Sequence, residues 1–324
     1  MEPTILNLSN DEYHNSETYA AWISSSQLKL YQKSPRYAKY KMEHPEPQTE
    51  AMRFGSLCHS AMETFAKYHA DPDTALAEWL KALAVFTPPV NKATGNPYGT
   101  STKAYAEAYQ DFLSANLDKE IVSLDDIYKV EAMVGVLVDG VTETSRQVLR
   151  LLKMKSMKSE VSHFTEIGGV KVKCRCDMET DYGIWDFKFL TLEDFSDESL
   201  TRAVIKYGYD VSAAFYQAVV HEVTGVWKPF YLIIVSKSEP YDAIIADLSQ
   251  FAYQYVESLD MVQKGPGALE FERLLALHGQ CLAADEWPGA ESFITESDRE
   301  QTGAAIKPLA PPSWYLKKMD PEYI

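Results

Sequence analysis

The segment VKCRCDMETDYGIWDFKFL, residues 172–190, holds three side chains whose types and spacing could do chemistry: Asp177, Asp186 and Lys188. Successive side chains on a strand point to opposite faces. Asp186 and Lys188 therefore share a face while the intervening Phe187 points into the core. A turn at Asp181-Tyr182-Gly183 would bring Asp177, at the end of one strand, beside Asp186 on the next. Two carboxylates and an ammonium then converge. Carboxylate oxygens are hard ligands for Mg²⁺ or Mn²⁺. A cation so held lowers the pKa of bound water and offsets charge building on phosphoryl oxygens. A neighbouring lysine can orient that water and stabilise the charged transition state. The set suits hydrolysis of a phosphodiester. An exposed Asp–Lys pair with no such role would contribute only about 0–1 kcal/mol. The apolar flanks Ile184-Trp185 and Phe189-Leu190 argue against a solvated turn.

Two residues upstream could join this set. Glu160 opens the first strand of the same meander and offers a third carboxylate. Its competitor, Glu166, lies beside the Gly168-Gly169 turn, where solvation is expected. His59, in RFGSLCHSAMET, offers an imidazole that suits Mn²⁺, although a lone helical histidine is more often structural.

The elements that must position these residues follow from periodicity. Residues 1–21 read as a polar, irregular arm. Ser24, Ser25 and Ser26 are N-cap candidates before QLKLYQK, and Ser34-Pro35 starts a helix over PRYAKYKM. Phe54, Leu57, Ala61 and Phe65 recur at helical spacing within residues 53–68. Further helices are expected over 72–86, 102–116 and 124–152, with a Pro/Gly/Thr-rich loop at 87–103. Strands follow at 159–167, 170–178 and 184–190, joined by hairpin turns. A long helix over 197–224 precedes the apolar strand 230–236 and a further strand near 241–246. Helices are then expected at about 246–263 and 268–283. This order predicts an α/β fold with a central mixed sheet flanked by helices and an N-terminal helical region. The expected division is an arm at 1–22, one domain at 23–284 with a helical insertion at about 70–157, and a surface-wrapping tail at 285–324.

With 46% hydrophobic and 24% charged residues, the composition is that of an ordinary globular chain. No apolar run approaches the roughly 20 residues a membrane span needs. The N-terminus lacks a basic region followed by an apolar one, so a cytoplasmic location is expected. The four cysteines are too few and scattered for a disulfide framework, and are expected as buried thiols. A net charge of −16 is awkward for a nucleic-acid partner. The acid, however, is concentrated in 239–324, while 24–70 and 150–190 are net basic. Phosphate binding needs only local cationic surface.

Several ordered segments, spanning residues 23–314, resemble the exonuclease VIII (RecE) branch of the PD-(D/E)XK superfamily. Phage lambda exonuclease and RecB nuclease domains are more distant relatives. ISSSQLKLYQKSP resembles the branch's opening helix. RFGSLCHSAME resembles the motif that places a metal-binding histidine, here His59. SEVSHF resembles the acidic motif, here Glu160. KCRCD resembles its K-x-R-x-D strand, here Lys173, Arg175 and Asp177. WDFK resembles its D-x-K strand, here Asp186 and Lys188. YGYDVSAAFY resembles the helix after the site, with Ser212 in the usual glutamine place and Tyr216 in the tyrosine place. LAPPSW resembles its C-terminal Pro-x-Trp. Cys176 stands where the superfamily name expects proline.

The resemblance implies a restriction-endonuclease-like core. His59, Asp177, Asp186 and the Phe187 carbonyl would bind two Mg²⁺ or Mn²⁺ ions, with Glu160 completing the shell and Lys188 positioning water. Beside the resemblance, Arg53, Lys173 and Arg175 are candidates for phosphate contacts, with a solvated surface role as the alternative, and the 87–103 loop with Lys92 and Lys103 is a candidate lining of the DNA entry. Ser212 and Tyr216 occupy the DNA-end motif. The implied activity is exonucleolytic degradation of linear duplex DNA, 5′ to 3′, leaving 3′ overhangs; the alternatives are a structure-specific or nicking endonuclease of the same fold and a catalytically inactive DNA-binding subunit. The implied partners are DNA ends, a single-strand annealing protein and further copies of the chain in a trimeric or tetrameric ring. Iron–sulfur relatives carry a cysteine before the proline of the opening helix. Ser34 stands there, so no Fe–S cluster is expected.

Overall fold

The computed structural model describes residues 4–68 and 71–310. Pro311 to Trp314 of the C-terminal motif lie outside those residues. The chain divides into two units. One comprises residues up to Ser25 together with Pro47–Phe271, and the other comprises Ser26–Glu46 with Glu272 onward.

In chain order the elements are β1 (Thr4–Leu6), α1 (Asn10–Asn15), α2 (Ser25–Lys29), α3 (Pro35–Glu43), α4 (Glu50–Lys67) and α5 (Pro72–Lys81). Then come β2 (Leu83–Val85), α6 (Lys103–Ala115), β3 (Glu120–Val122), α7 (Leu124–Val138) and α8 (Glu143–Leu152). The meander is β4 (Lys158–Ile167), β5 (Val170–Thr180) and β6 (Gly183–Leu190), followed by α9 (Asp197–Tyr207) and α10 (Tyr209–Thr224). The chain continues through β7 (Phe230–Ser236), β8 (Ala243–Asp247), β9 (Tyr253–Val256), β10 (Met261–Lys264), α11 (Pro266–Ala284) and α12 (Glu296–Thr302).

The expected mixed sheet is present, with six strands in the order β1-β4-β5-β6-β7-β8. Only β6 and β7 run parallel; the other neighbours are antiparallel. The stripe Leu57, Cys58, Ala61, Met62 and Phe65 of α4 joins α7, α8 and the inward faces of β6 and β7 in one hydrophobic cluster. Phe187 and Phe189 lie in that cluster, as strand alternation requires. In the other unit, Ser34 caps α3 by accepting the Tyr37 amide at 3.1 Å, and Pro35 occupies the first turn.

Four expectations are corrected. Residues 4–21 are not irregular. β1 pairs with β4, and Tyr13 and Trp22 pack on Phe164 in a second buried cluster. The helix expected over 197–224 is two helices, broken at Gly208, whose φ of 62° is left-handed. The span 124–152 is likewise two helices, with Gly140 left-handed between them. The stretch 246–263 is a β9–β10 hairpin rather than a helix. There the buried Gln217 amide donates to Tyr253 O and accepts from Tyr253 N, both at 2.9 Å. These long-range bonds hold the backbone extended whatever its local propensity. No described helix is long and apolar enough to cross a membrane.

Candidate metal and catalytic centre

The site forms where the sheet forks. β5 and β6 pair only from Met178↔Trp185 to Thr180↔Gly183 and then separate. Beyond the fork, Ile23 takes the place beside β5: its amide donates to Lys171 O and its carbonyl accepts from Lys173 N, both at 3.0 Å. Asp177 and Asp186 are the first residues past the last β5–β6 pair. The Phe187 amide therefore has no strand carbonyl opposite it on β5 and donates instead to Asp177 Oδ2 at 2.8 Å.

Four elements contribute to this point. His59 Nδ1, from α4, lies 3.2 Å from the same Asp177 Oδ2. Lys188 is ion-paired with Asp186 and donates to the Phe187 carbonyl at 3.1 Å. Glu160, on β4, comes level with Asp177 in a register that pairs Ser159 with Met178 and Val161 with Cys176. Its φ of 55° is left-handed inside a strand. Such a conformation costs a non-glycine residue about 1–2 kcal/mol and marks a place where the surroundings over-determine the backbone. Glu160 Oε2 lies 2.6 Å from Arg175 Nε. Glu166, by contrast, is exposed near the turn.

Burial and mutual interaction shift the titratable groups of the site in opposite directions. Burial and the Asp177 charge push Glu160 up to about 8, against the pull of Arg175. Burial also raises Asp186, with Lys188 opposing and Asp177 adding to the rise. Burial would raise Asp177 too, but His59, Lys188 and the Phe187 amide hold it down to about 2. Burial disfavours the charged forms of His59 and Lys188, yet the carboxylates outweigh it and both are raised. The competition at Lys188 is thus won by its acidic neighbours. Asp186 Oδ2 is buried, and its contact with Lys188 lacks hydrogen-bond geometry. A buried carboxylate oxygen without an aligned donor, beside two further carboxylates and an imidazole, fits a divalent cation.

The structure treats the other expected residues unequally. Lys173 and Arg175 both engage protein partners. Lys173 is buried, donates to Tyr13 O at 2.7 Å and lies over the Tyr13 ring; Arg175 is committed to Glu160. Ser212 shares a hydrogen bond with Ser25 at 3.0 Å and donates to Gly208 O. Tyr216 lies within electrostatic reach of Asp186 and Asp177, and burial raises its hydroxyl. Arg53, Lys92 and Lys103 are exposed, and Lys103 pairs with Glu107 at 3.3 Å. All four cysteines are buried thiols.

Two features escaped sequence reasoning. Tyr209 lies beside Lys188, whose Nζ is 5.6 Å from the ring centroid. Only the Gly208 break, which a continuous-helix reading hides, could have revealed it. A second feature is the buried group His163, Cys176 and Glu179, whose ligand atoms lie within 4.8 Å of one another. Glu179 is already engaged by His163 Nε2 at 2.6 Å and Lys228 Nζ at 2.7 Å. The Lys228 ammonium supplies the positive charge a metal would bring, so this group is an ion-pair network.

Comparisons with known proteins agree with this fold. The family described as "PDDEXK-like domain of unknown function (DUF3799)" matches residues 24–289. A crystal structure of a Eubacterium rectale protein, provisionally named an exonuclease, is similar with a TM-score of 0.52 at 15% identity, covering 95% of this chain and 96% of that one. That likeness is one of fold. No curated protein matches the sequence. With the family match spanning the opening helix, the forked sheet and the converging acidic residues, the chain belongs to this PDDEXK-like family, within the PD-(D/E)XK superfamily.

Proposed function

We propose that the chain is a divalent-metal-dependent deoxyribonuclease that degrades linear duplex DNA from its ends, 5′ to 3′. The observation that carries this reading is the convergence of His59, Glu160, Asp177, Asp186 and Lys188 at the fork of β5 and β6. The exonuclease mode is supported by the resemblance of its motifs to the RecE branch and by the name given to the Eubacterium rectale neighbour.

His59, Asp177, Asp186, Glu160 and the Phe187 carbonyl would hold Mg²⁺ or Mn²⁺, in two ions. These would supply charge neutralisation at the phosphoryl oxygens and a lowered pKa of bound water. The residues do the rest. Burial disfavours the charged Lys188, but Asp186 and Asp177 outweigh it and favour the ammonium form. Its ammonium can orient the attacking water and meet charge developing on the phosphate. Asp186 fixes the Lys188 head, while the Phe187 amide and His59 fix Asp177. Arg175 holds Glu160 in place. A ring of identical subunits with an acidic exterior and a basic bore would reconcile the charge of −16 with a DNA substrate. A single-strand annealing partner belongs to the same proposal.

The test is Mg²⁺-dependent release of nucleotides from linear and from closed circular duplex DNA, with Lys188→Ala and Asp186→Ala as controls. Degradation of linear DNA alone, lost in both variants, supports the exonuclease. Cleavage of circles replaces it with an endonuclease. No cleavage with Mg²⁺ or Mn²⁺ leaves a binding subunit. End-labelled substrates read the polarity, and light scattering reads the oligomer.

A further inference from the structure

The break at Gly208 places two tyrosines, one on each side of a left-handed residue, beside the site. Tyr207 ends α9 and Tyr209 begins α10. Their ring centroids are 5.5 Å apart with planes tilted by 33°. Lys206 Nζ lies 5.1 Å from the Tyr207 centroid, and Lys188 Nζ lies 5.6 Å from the Tyr209 centroid. Cation, ring, ring and cation thus follow one another from the exposed Lys206 to the half-buried Lys188. Tyr207 is 42% exposed, and Tyr209 is half-buried.

We propose that Lys206, Tyr207, Tyr209 and Lys188 form a track that receives an unpaired strand of nucleic acid and leads its backbone to the carboxylate site. Two adjacent rings flanked by cations suit such a strand, with bases stacking on the rings and phosphates lying near the ammonium groups. A paired base inside a duplex has both faces covered by its neighbours, so the rings select a strand end that has come apart. The inference rests on the nuclease reading and narrows it: the chain acts on the unpaired end of one strand. A continuous helix would put residues 207 and 209 roughly 200° apart around its axis. The left-handed Gly208 instead lets both rings share one place.

Binding is measured by fluorescence anisotropy in EDTA, so that no turnover occurs. The probes are an oligothymidylate of roughly a dozen nucleotides and an abasic strand of the same length and charge. The full chain is compared with Tyr207→Ala, Tyr209→Leu and Tyr209→Phe. The expected result is about tenfold tighter binding of the oligothymidylate than of the abasic strand. Tyr207→Ala and Tyr209→Leu should narrow that ratio, and Tyr209→Phe should keep it. A tyrosine that merely packs the helix junction would change the melting temperature and leave the ratio alone. Equal affinity for the two strands, or a ratio unchanged in Tyr207→Ala, overturns the track. Cleavage of linear duplex DNA by the unmodified chain is scored separately. Active enzyme without base-dependent binding removes the track alone, whereas base-dependent binding without cleavage keeps the track and removes the nuclease.

Discussion

Phe187 gives its backbone amide to the Asp177 carboxylate, at 2.8 Å, where a strand would ordinarily offer a carbonyl. One side chain thereby satisfies the backbone at the fork and also meets His59. This separates two roles that mutation can tell apart. Asp177→Asn keeps an oxygen for the Phe187 amide but loses the charge. DNA hydrolysis should fall by about 10²–10³-fold with little change in stability. Asp177→Ala also strands the amide and should cost about 1–3 kcal/mol more in urea unfolding. Equal stability of the two variants would contradict the structural half of this assignment.

Arg175 and Lys173 should behave as structural cations. Arg175→Met leaves the Glu160 carboxyl, already pushed up to about 8, without its cation and should destabilise the fold by about 1–3 kcal/mol. Lys173→Met removes the ammonium that grips Tyr13 O. Its effect should be local, seen as faster amide exchange across residues 4–22. The salt dependence of DNA binding should stay unchanged in Lys173→Met, since a phosphate-contacting lysine would lower that slope by about one unit.

The Glu179–His163 pair makes a signed prediction about pH. Burial opposes ionisation of Glu179, but His163 and Lys228 hold it down to about 2, below its ordinary 4.5. Burial opposes the charged His163 as well, but Cys176 and Glu179 bring it up to about 9, above its ordinary 6.5. The stability from Glu179 is full above pH 4.5 and is lost as pH falls towards 2. That from His163 is full below pH 6.5 and is lost as pH rises through 9. The two overlap between about pH 4.5 and 6.5. Thermal melting of the unmodified chain against Glu179→Gln should show its largest difference in that window and a shrinking one on either side.

Gly208 carries the left-handed turn between α9 and α10. Gly208→Ala should cost about 1–2 kcal/mol in chemical denaturation, and Gly208→Asn less, because asparagine tolerates that conformation better. A neutral Gly208→Ala would mean the junction is helical in solution.

The meander, the D-x-K strand and Glu160 were legible because strand alternation and turn glycines are local signals. Phe187 points inward and Asp186 meets Lys188, as period two demands. The helix 197–224 misled because a single glycine costs a helix pattern little, while its φ is set by packing. Lys173 and Arg175 read as surface cations because charge is usually solvated. Nothing local reveals that the N-terminal segment folds back over β4 and β5 to bury them. The hairpin at 253–264 was hidden for a related reason, since Gln217 bonds its backbone from 36 residues away.

His59 reaches the carboxylates from a helix whose neighbouring side chains, Cys58 and Met62, sit in the same apolar cluster as Phe187 and Phe189. Ligands from helix and sheet are therefore spaced by how deeply one rests on the other. On the proposed chemistry, the ionic radius the centre accepts is a property of hydrophobic packing. A trimmed core side chain such as Met62→Ala would shift preference among Mg²⁺, Mn²⁺ and Ca²⁺ without touching a ligand.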